Sequence, residues 1–243
     1  MEGAAGAGKS VVLNYINEEI QANNAMRRRV LVVEEPITQY NAITGVSQAR
    51  SSLPGVFGAL YQCYTMHIYM MKIVNDIRNH KIAHDCLPDL MFVERFPGYS
   101  NQYVFTQLLH DFGHIDQMGS RMLQRIFEQA RSLSFLHTVA PHTEVIDLEF
   151  VYVICDVERA LQRRPRLYDD LRKQRHIHAL HNTWLSGNYG LWHGHAIHLI
   201  MNGTEQLVPA LNQSVRSLLN TELATVDLMM HEFVVETLLR DDV

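Results

Sequence analysis

The residues Gly3-Ala4-Ala5-Gly6-Ala7-Gly8-Lys9-Ser10 satisfy the pattern G-x-x-x-x-G-K-[ST] at every fixed position. The chemistry accounts for the residue types. Glycines let a backbone curl until successive N–H groups face an anion, and the apolar helical run that follows (Val11, Val12, Leu13, Ile16) adds the positive end of a helix. In such a loop the Lys9 ammonium meets phosphate oxygens and the Ser10 hydroxyl ligates Mg²⁺. The plainer alternative is a glycine-rich tail that happens to precede a helix.

Two acids stand where they could serve the same ligand. The apolar run Arg29 to Val33 ends in Glu34-Glu35-Pro36, and Leu90 to Val93 ends in Glu94-Arg95. If both runs are strands of an open α/β sheet, the acids emerge at its carboxyl edge, where ligands bind in such folds. Glu35 has a plainer reading as the start of the turn before Pro36, and Glu34 is the weaker candidate. Further on, Arg159, Arg163, Arg164 and Arg166 precede Tyr168-Asp169-Asp170 and form a basic cluster suited to closing over a triphosphate. On their own these arginines read better as offsetting a helix C-terminal dipole or as a solvated face; the glycine loop is what favours the lid reading. The chain lacks N-K-x-D, the guanine-reading motif, which weighs against a GTPase.

Positioning these residues requires a sheet with helices on it. Short runs rich in Val, Ile, Leu and Phe (Arg29 to Val33, Leu90 to Val93, Phe150 to Ile154, Ala196 to Met201) alternate with segments of helical period. The helices are expected over 9–23, 55–79, 101–110, 115–137, 157–162, 169–185 and 206–220. This alternation points to an α/β fold with a parallel sheet of about five strands. The first strand is reduced, because only Met1 and Glu2 precede a loop that normally follows a buried strand. An apolar segment upstream of Met1 is therefore expected to complete the sheet. Neither repeats nor long linkers divide the chain, so residues 1–220 read as one domain with an extension at 221–243.

Composition closes off other classes. At 243 residues, 47% hydrophobic and 19% charged, the chain is an ordinary globular one and not a disordered or fibrous one. A net charge of −5 gives no general positive field to gather nucleic acid or an anionic membrane, so an anionic ligand needs a local site. Cys63, Cys86 and Cys155 are odd in number and lack C-x-x-C spacing, which suits reduced thiols in a cytoplasmic or nuclear setting. No membrane span or secretory leader is legible. The histidine groups His176, His178, His181 and His193, His195, His198 lack zinc-site spacing and read as solvated or capping residues.

Together, the glycine loop with Lys9-Ser10, Glu35-Pro36, Glu94-Arg95 and the arginine cluster resemble the deoxynucleoside kinase family, which includes the thymidine kinases of herpesviruses and the cellular deoxycytidine and mitochondrial thymidine kinases. The resemblance runs from Gly3 to about Trp184. It implies ATP and Mg²⁺ as cofactors, with Gly3, Ala4, Ala5, Gly6, Ala7, Gly8, Lys9, Ser10, Arg164 and Arg166 around the phosphates. It further implies Glu35 as general base for a sugar 5′-hydroxyl, Arg95 and Arg163 on the transferring phosphoryl group, and Glu94 with Ser10 on the metal. Tyr40, Gln62, Phe105 and Asp169 correspond to residues holding base and sugar. Tyr69 and Asn101 stand where cytosine-preferring members carry an arginine and an acid.

One departure is a length change. Phe96-Pro97-Gly98 adds a residue before Tyr99-Ser100, where the family has a small or polar residue after Glu-Arg. Several plainer readings stay open: Gln62 also reads as a satisfied core amide, Tyr69 and Met70 read better as core packing, and Phe105 reads either way. The expectation is phosphoryl transfer from ATP to a deoxynucleoside, with thymidine served at least as well as deoxycytidine and both ahead of purines. The alternatives are a nucleoside monophosphate kinase and an inactive, nucleotide-binding homologue. A homodimer is implied by the same resemblance, with a small-molecule nucleoside as substrate and no nucleic acid or membrane as partner. The implied location is the cytoplasm, or the host cytoplasm or nucleus for a viral protein.

Overall fold

The computed structural model describes residues 1–42, 56–132, 134–139, 150–163, 171–185, 190–192 and 195–201. The expected helix 206–220, the extension 221–243, and Arg164, Arg166 and Asp169 lie outside the described residues.

Strands β1 (Val30–Val33) and β2 (Leu90–Val93) pair in parallel, from Val30 opposite Leu90 to Val33 opposite Val93. Parallel neighbours need a crossover, and the long helix α4 (Val56–His84) lies within it. Strand β3 (Phe150–Ile154) pairs in parallel with β5 (His195–Met201), while β4 (Gly190–Trp192) runs antiparallel along β5. This corrects the all-parallel expectation. Only residues 193 and 194 separate β4 from β5, too few for a crossover, so the two can pair only as a hairpin.

Met1 and Glu2 tie the two sheets together. Met1 N donates to Val93 O (2.6 Å), Arg95 N donates to Met1 O (2.8 Å), Glu2 N donates to Val151 O (2.8 Å) and Val153 N donates to Glu2 O (3.0 Å). The pair thus occupies the space between β2 and β3 with backbone bonds on both sides. The chain is an α/β protein, rich in helix, with parallel strand pairs at its centre.

Strand β3 is buried on both faces, which is why it reads as a near-continuous apolar run. Phe150 and Tyr152 of β3 face one core with Ile73 and Ile77 of α4, Val104, and Leu185 of α8 (Leu171–Leu185). Val151 and Val153 face the other, with Val12, Leu13, Ile16 and Ile20 of α1 (Lys9–Ala22). Four short elements complete the description so far: α2 (Asn24–Arg27), α3 (Ile37–Asn41), α5 (Gln107–Asp111) and α7 (Val157–Arg163). Helix α6 (Gln117–Arg131) starts at Asp116, whose side chain accepts from Gly119 N at 2.7 Å, and buries Leu123, Phe127 and Ala130. The expected helix 115–137 ends there and gives way to a 3₁₀ turn, Ser134–Thr138.

The expected helix 101–110 begins in a wider form. Residues Asn101–Thr106 are π-helical, with the Thr106 hydroxyl donating to Asn101 O at 2.8 Å, before α5 continues normally. A π turn holds more residues than an α turn, which is how a helix accommodates an added residue.

Candidate active site

The glycine loop precedes α1 and packs against the end of β3 and against α7. Gly3, Gly6 and Gly8 all have positive φ, and at Gly6 (φ 84°) a Cβ would stand 2.7 Å from the Ala160 carbonyl oxygen. No other residue fits that position without moving α7. Arg163, at the end of α7, donates to Gly6 O at 3.3 Å and so stands on the lip of the loop.

Lys9 turns back into the loop. Its ammonium donates to Gly3 O (3.0 Å) and Ala4 O (3.1 Å) and lies 4.0 Å from Glu94 Oε1. Burial, and then the Arg95 charge, pull its pKa down to about 7 despite the carboxylates of Glu94, Glu35 and Glu2. Ser10 Oγ donates to the same Glu94 oxygen at 3.3 Å. A hydroxyl and a carboxylate side by side are hard oxygen donors of the kind that hold Mg²⁺ together with substrate phosphates, so these residues fit that ion. Among the described residues no group of three His, Cys, Asp or Glu side chains could hold a metal unaided.

The register of β1 against β2 brings the two acidic strand ends together. Val33 lies opposite Val93, so Glu34-Glu35 and Glu94-Arg95 leave the sheet side by side. Of the first pair Glu34 is exposed, whereas the Glu35 side chain is 13% exposed and accepts from Arg95 Nη1 at 3.0 Å. Arg95 also donates to Gly3 O (3.3 Å), and its guanidinium lies 5.7 Å from the centre of the Phe105 ring. Burial opposes its charge, but Glu35, Glu2 and Glu94 outweigh burial and hold its pKa above the ordinary value. Its backbone has φ 58°, a conformation that costs a non-glycine residue about 1–3 kcal/mol and persists only where the surroundings impose it.

Tyr69 holds these strand ends in place. It is 3% exposed, and its hydroxyl donates to the carbonyls of both Val33 and Glu94. It is a tie between β1 and β2, not a residue presented to a base. Tyr40 is likewise buried, on α3. Gln62 and Asn101 meet directly, Asn101 Nδ2 donating to Gln62 Oε1 at 2.9 Å, and both are partly open to solvent.

Two features escaped the sequence reading. Glu2 is fully buried, its carboxylate oxygens accept no hydrogen bond, and burial raises its pKa to about 7. Only its position beside Gly3 hinted at the site. The histidines also differ from expectation: His178 and His181 are buried, and burial takes His181 to a pKa of about 3, so it is neutral, its Nδ1 donating to Ile177 O at 2.9 Å. They fall on the inner face of α8, where helical period and not residue type decides exposure.

No protein-family model and no curated protein matches the chain.

Proposed function

We propose that the chain is an ATP-dependent deoxynucleoside kinase with a P-loop kinase fold. The reading counts Met1 and Glu2 as the stub of a first strand, which would join the parallel pairs β1–β2 and β3–β5 into five strands in the order β1, β2, stub, β3, β5; its support is the backbone bonding of the two residues to both sides. The observation that carries the reading is the convergence at one sheet edge of a glycine loop with Lys9 and Ser10, the Ser10–Glu94 oxygen pair and the Glu35–Arg95 ion pair.

Each group has a part in transfer of the γ-phosphoryl of ATP to a 5′-hydroxyl. The loop and Lys9 bind the phosphates, Lys9 exchanging its carbonyl partners for phosphate oxygens. Ser10 and Glu94 would hold Mg²⁺, which supplies neutralisation of phosphate charge when bound. The same surroundings hold the carboxylates of Glu2, Glu35 and Glu94 beside Lys9, Arg95 and the Met1 ammonium, so the triphosphate's own charge is left for the metal to offset. Glu35 accepts the proton of the attacking hydroxyl, and Arg95, held against it, faces the developing charge. Phe105 and Gln62 hold the base, and Asp169, Arg164 and Arg166 belong to the proposed lid. Positioning and electrostatics do most of the work.

The proposed assembly is a homodimer. Its support is the run Phe57, Leu60, Tyr64 and Met71 along one side of α4, all exposed at 40% or more. A monomer mass by light scattering at micromolar concentration would contradict it.

The test is a panel of acceptors. Purified chain, ATP and Mg²⁺ are offered each deoxynucleoside and each nucleoside monophosphate, and ADP release is followed. Turnover of pyrimidine nucleosides supports the reading; turnover of monophosphates alone moves the chain to the monophosphate kinases, and ATP binding without turnover to the inactive homologues.

A further inference from the structure

Arg95 faces two buried carboxylates and bonds to one of them. Its Nη1 donates to both oxygens of Glu35, at 3.0 Å and 3.4 Å, and its Nη2 donates to Gly3 O at 3.3 Å. Nε shares an edge of the planar fork with Nη2, so that edge is turned toward the Glu2-Gly3 segment, and Nε is buried without a partner there. Glu2 belongs to the same side of the sheet. It pairs with Tyr152, whose side chain lies in the core with Ile73 and Ile77, and residues paired across a ladder share a face. The Arg95 guanidinium lies over Phe105, which packs against that same core.

The Glu2 carboxylate is fully buried, accepts no hydrogen bond, and feels the charges of the Met1 ammonium, Arg95 and Lys9. Two of these cations are engaged elsewhere, Met1 with Val93 O and Lys9 with Gly3 O and Ala4 O. Arg95 keeps a buried donor that nothing accepts. An apolar side chain would fill the place of Glu2 at less cost, which favours a role in the adjoining site over one in packing.

The chemistry at Glu35 supplies that role. While Arg95 Nη1 holds both Glu35 oxygens, an approaching hydroxyl must compete with it. In the proposed transfer the proton of the 5′-hydroxyl passes to Glu35, its oxygen bonds to the γ-phosphorus, and the bond to the ADP oxygen breaks. Glu35 is then neutral and no longer holds a guanidinium by charge. Glu94, the third acid near Arg95, is taken up by Ser10 and Lys9. We propose that Glu2 is a positioning residue for phosphoryl transfer, a second counter-charge that receives the Nε edge of Arg95 when the attacking hydroxyl takes over Glu35. The role in transfer rests on the nucleoside kinase reading; the change of partner does not.

NMR of the arginine side chains tests the change of partner without any ligand, the Arg95 Nε–H resonance being assigned by its loss in Arg95→Lys. In Glu35→Gln the guanidinium turns to Glu2, so this resonance moves downfield and exchanges more slowly than in wild type. Adding Glu2→Gln cancels both changes. A resonance that stays put in Glu35→Gln, or that moves equally when residue 2 is also glutamine, overturns the proposal. Should Glu35→Gln fail to fold, Glu35→Asp, which draws the carboxylate back by one methylene, puts the same question. Kinetics test the role in transfer. Glu2→Gln lowers kcat for thymidine by about tenfold while KM for thymidine and ATP holds, and costs nothing further in an Arg95→Lys background. A kcat equal to wild type, or losses that multiply as for a merely structural residue, overturns that role. A wild type that phosphorylates no nucleoside while the NMR response is intact overturns the kinase reading, and the role in transfer with it, but leaves Glu2 as the second partner of Arg95.

Discussion

The Glu35 carboxylate lies 3.0 Å from Arg95 at the end of β1, and its replacement separates chemistry from binding. Glu35→Gln is expected to lower kcat by about 10²-fold or more, the ordinary loss for a missing general base, with ATP affinity nearly unchanged. Steady-state kinetics beside ATP calorimetry check this, and an unaltered kcat removes Glu35 from the mechanism. Lys9 gives a pH prediction. With its pKa near 7, the amine is charged below pH 7 with or without ligand, whereas above pH 7 it is charged only once phosphate oxygens surround it. ATP binding then takes up a proton, and affinity falls as pH rises from 7, by about tenfold per unit at most. Calorimetry at pH 8 in two buffers of different ionisation enthalpy reports that proton; identical enthalpies would count against it. The glycine loop with Lys9-Ser10 and the acidic strand ends at Glu35 and Glu94 were legible from residue type and spacing, and the structure brings them to one sheet edge. The burial of Glu2 and the Asn101–Gln62 contact were not legible, since both arise only when distant segments meet.

Among the elements, the π turn over Asn101–Thr106 sets where Asn101 stands against Gln62. Hydrophobic period sees a helix there but cannot tell its wider turn from an α turn across six residues. Strands β1, β2 and β3 were legible as continuous apolar runs, whereas β4 is three residues long and carries no such signal. Gly98 gives the test at this scale. Alanine there adopts a left-handed φ and meets the Phe127 carbonyl, which should cost about 1–3 kcal/mol of stability. Gly98 N also donates to Asn101 Oδ1 at 3.3 Å, and Asn101 donates on to Gln62, so on the proposed function KM for nucleoside should rise while KM for ATP holds. A thermal melt and both KM values decide it, and a variant as stable as wild type contradicts the packing described.

For the molecule as a whole, Met1 and Glu2 link two parallel strand pairs into one scaffold, at the cost of a buried carboxylate without hydrogen bonds. The folded pKa of Glu2, about 7, lies above its ordinary 4.5. Its contribution to stability is therefore fully present below pH 4.5 and is lost as pH rises through 7. Glu2→Gln carries no such loss, so its melting temperature relative to wild type should climb between pH 5 and pH 8; a difference that is flat with pH contradicts the burial of this charge. The alternation of strand and helix made the α/β class legible, but not the linkage, because two residues carry no periodicity. The most direct measurement is ³¹P NMR of the products formed from ATP, Mg²⁺ and a pyrimidine deoxynucleoside. The account predicts ADP and a 5′-monophosphate in equal amounts with wild type and almost none with Glu35→Gln. Inorganic phosphate in place of the monophosphate, or equal product from both proteins, would contradict it.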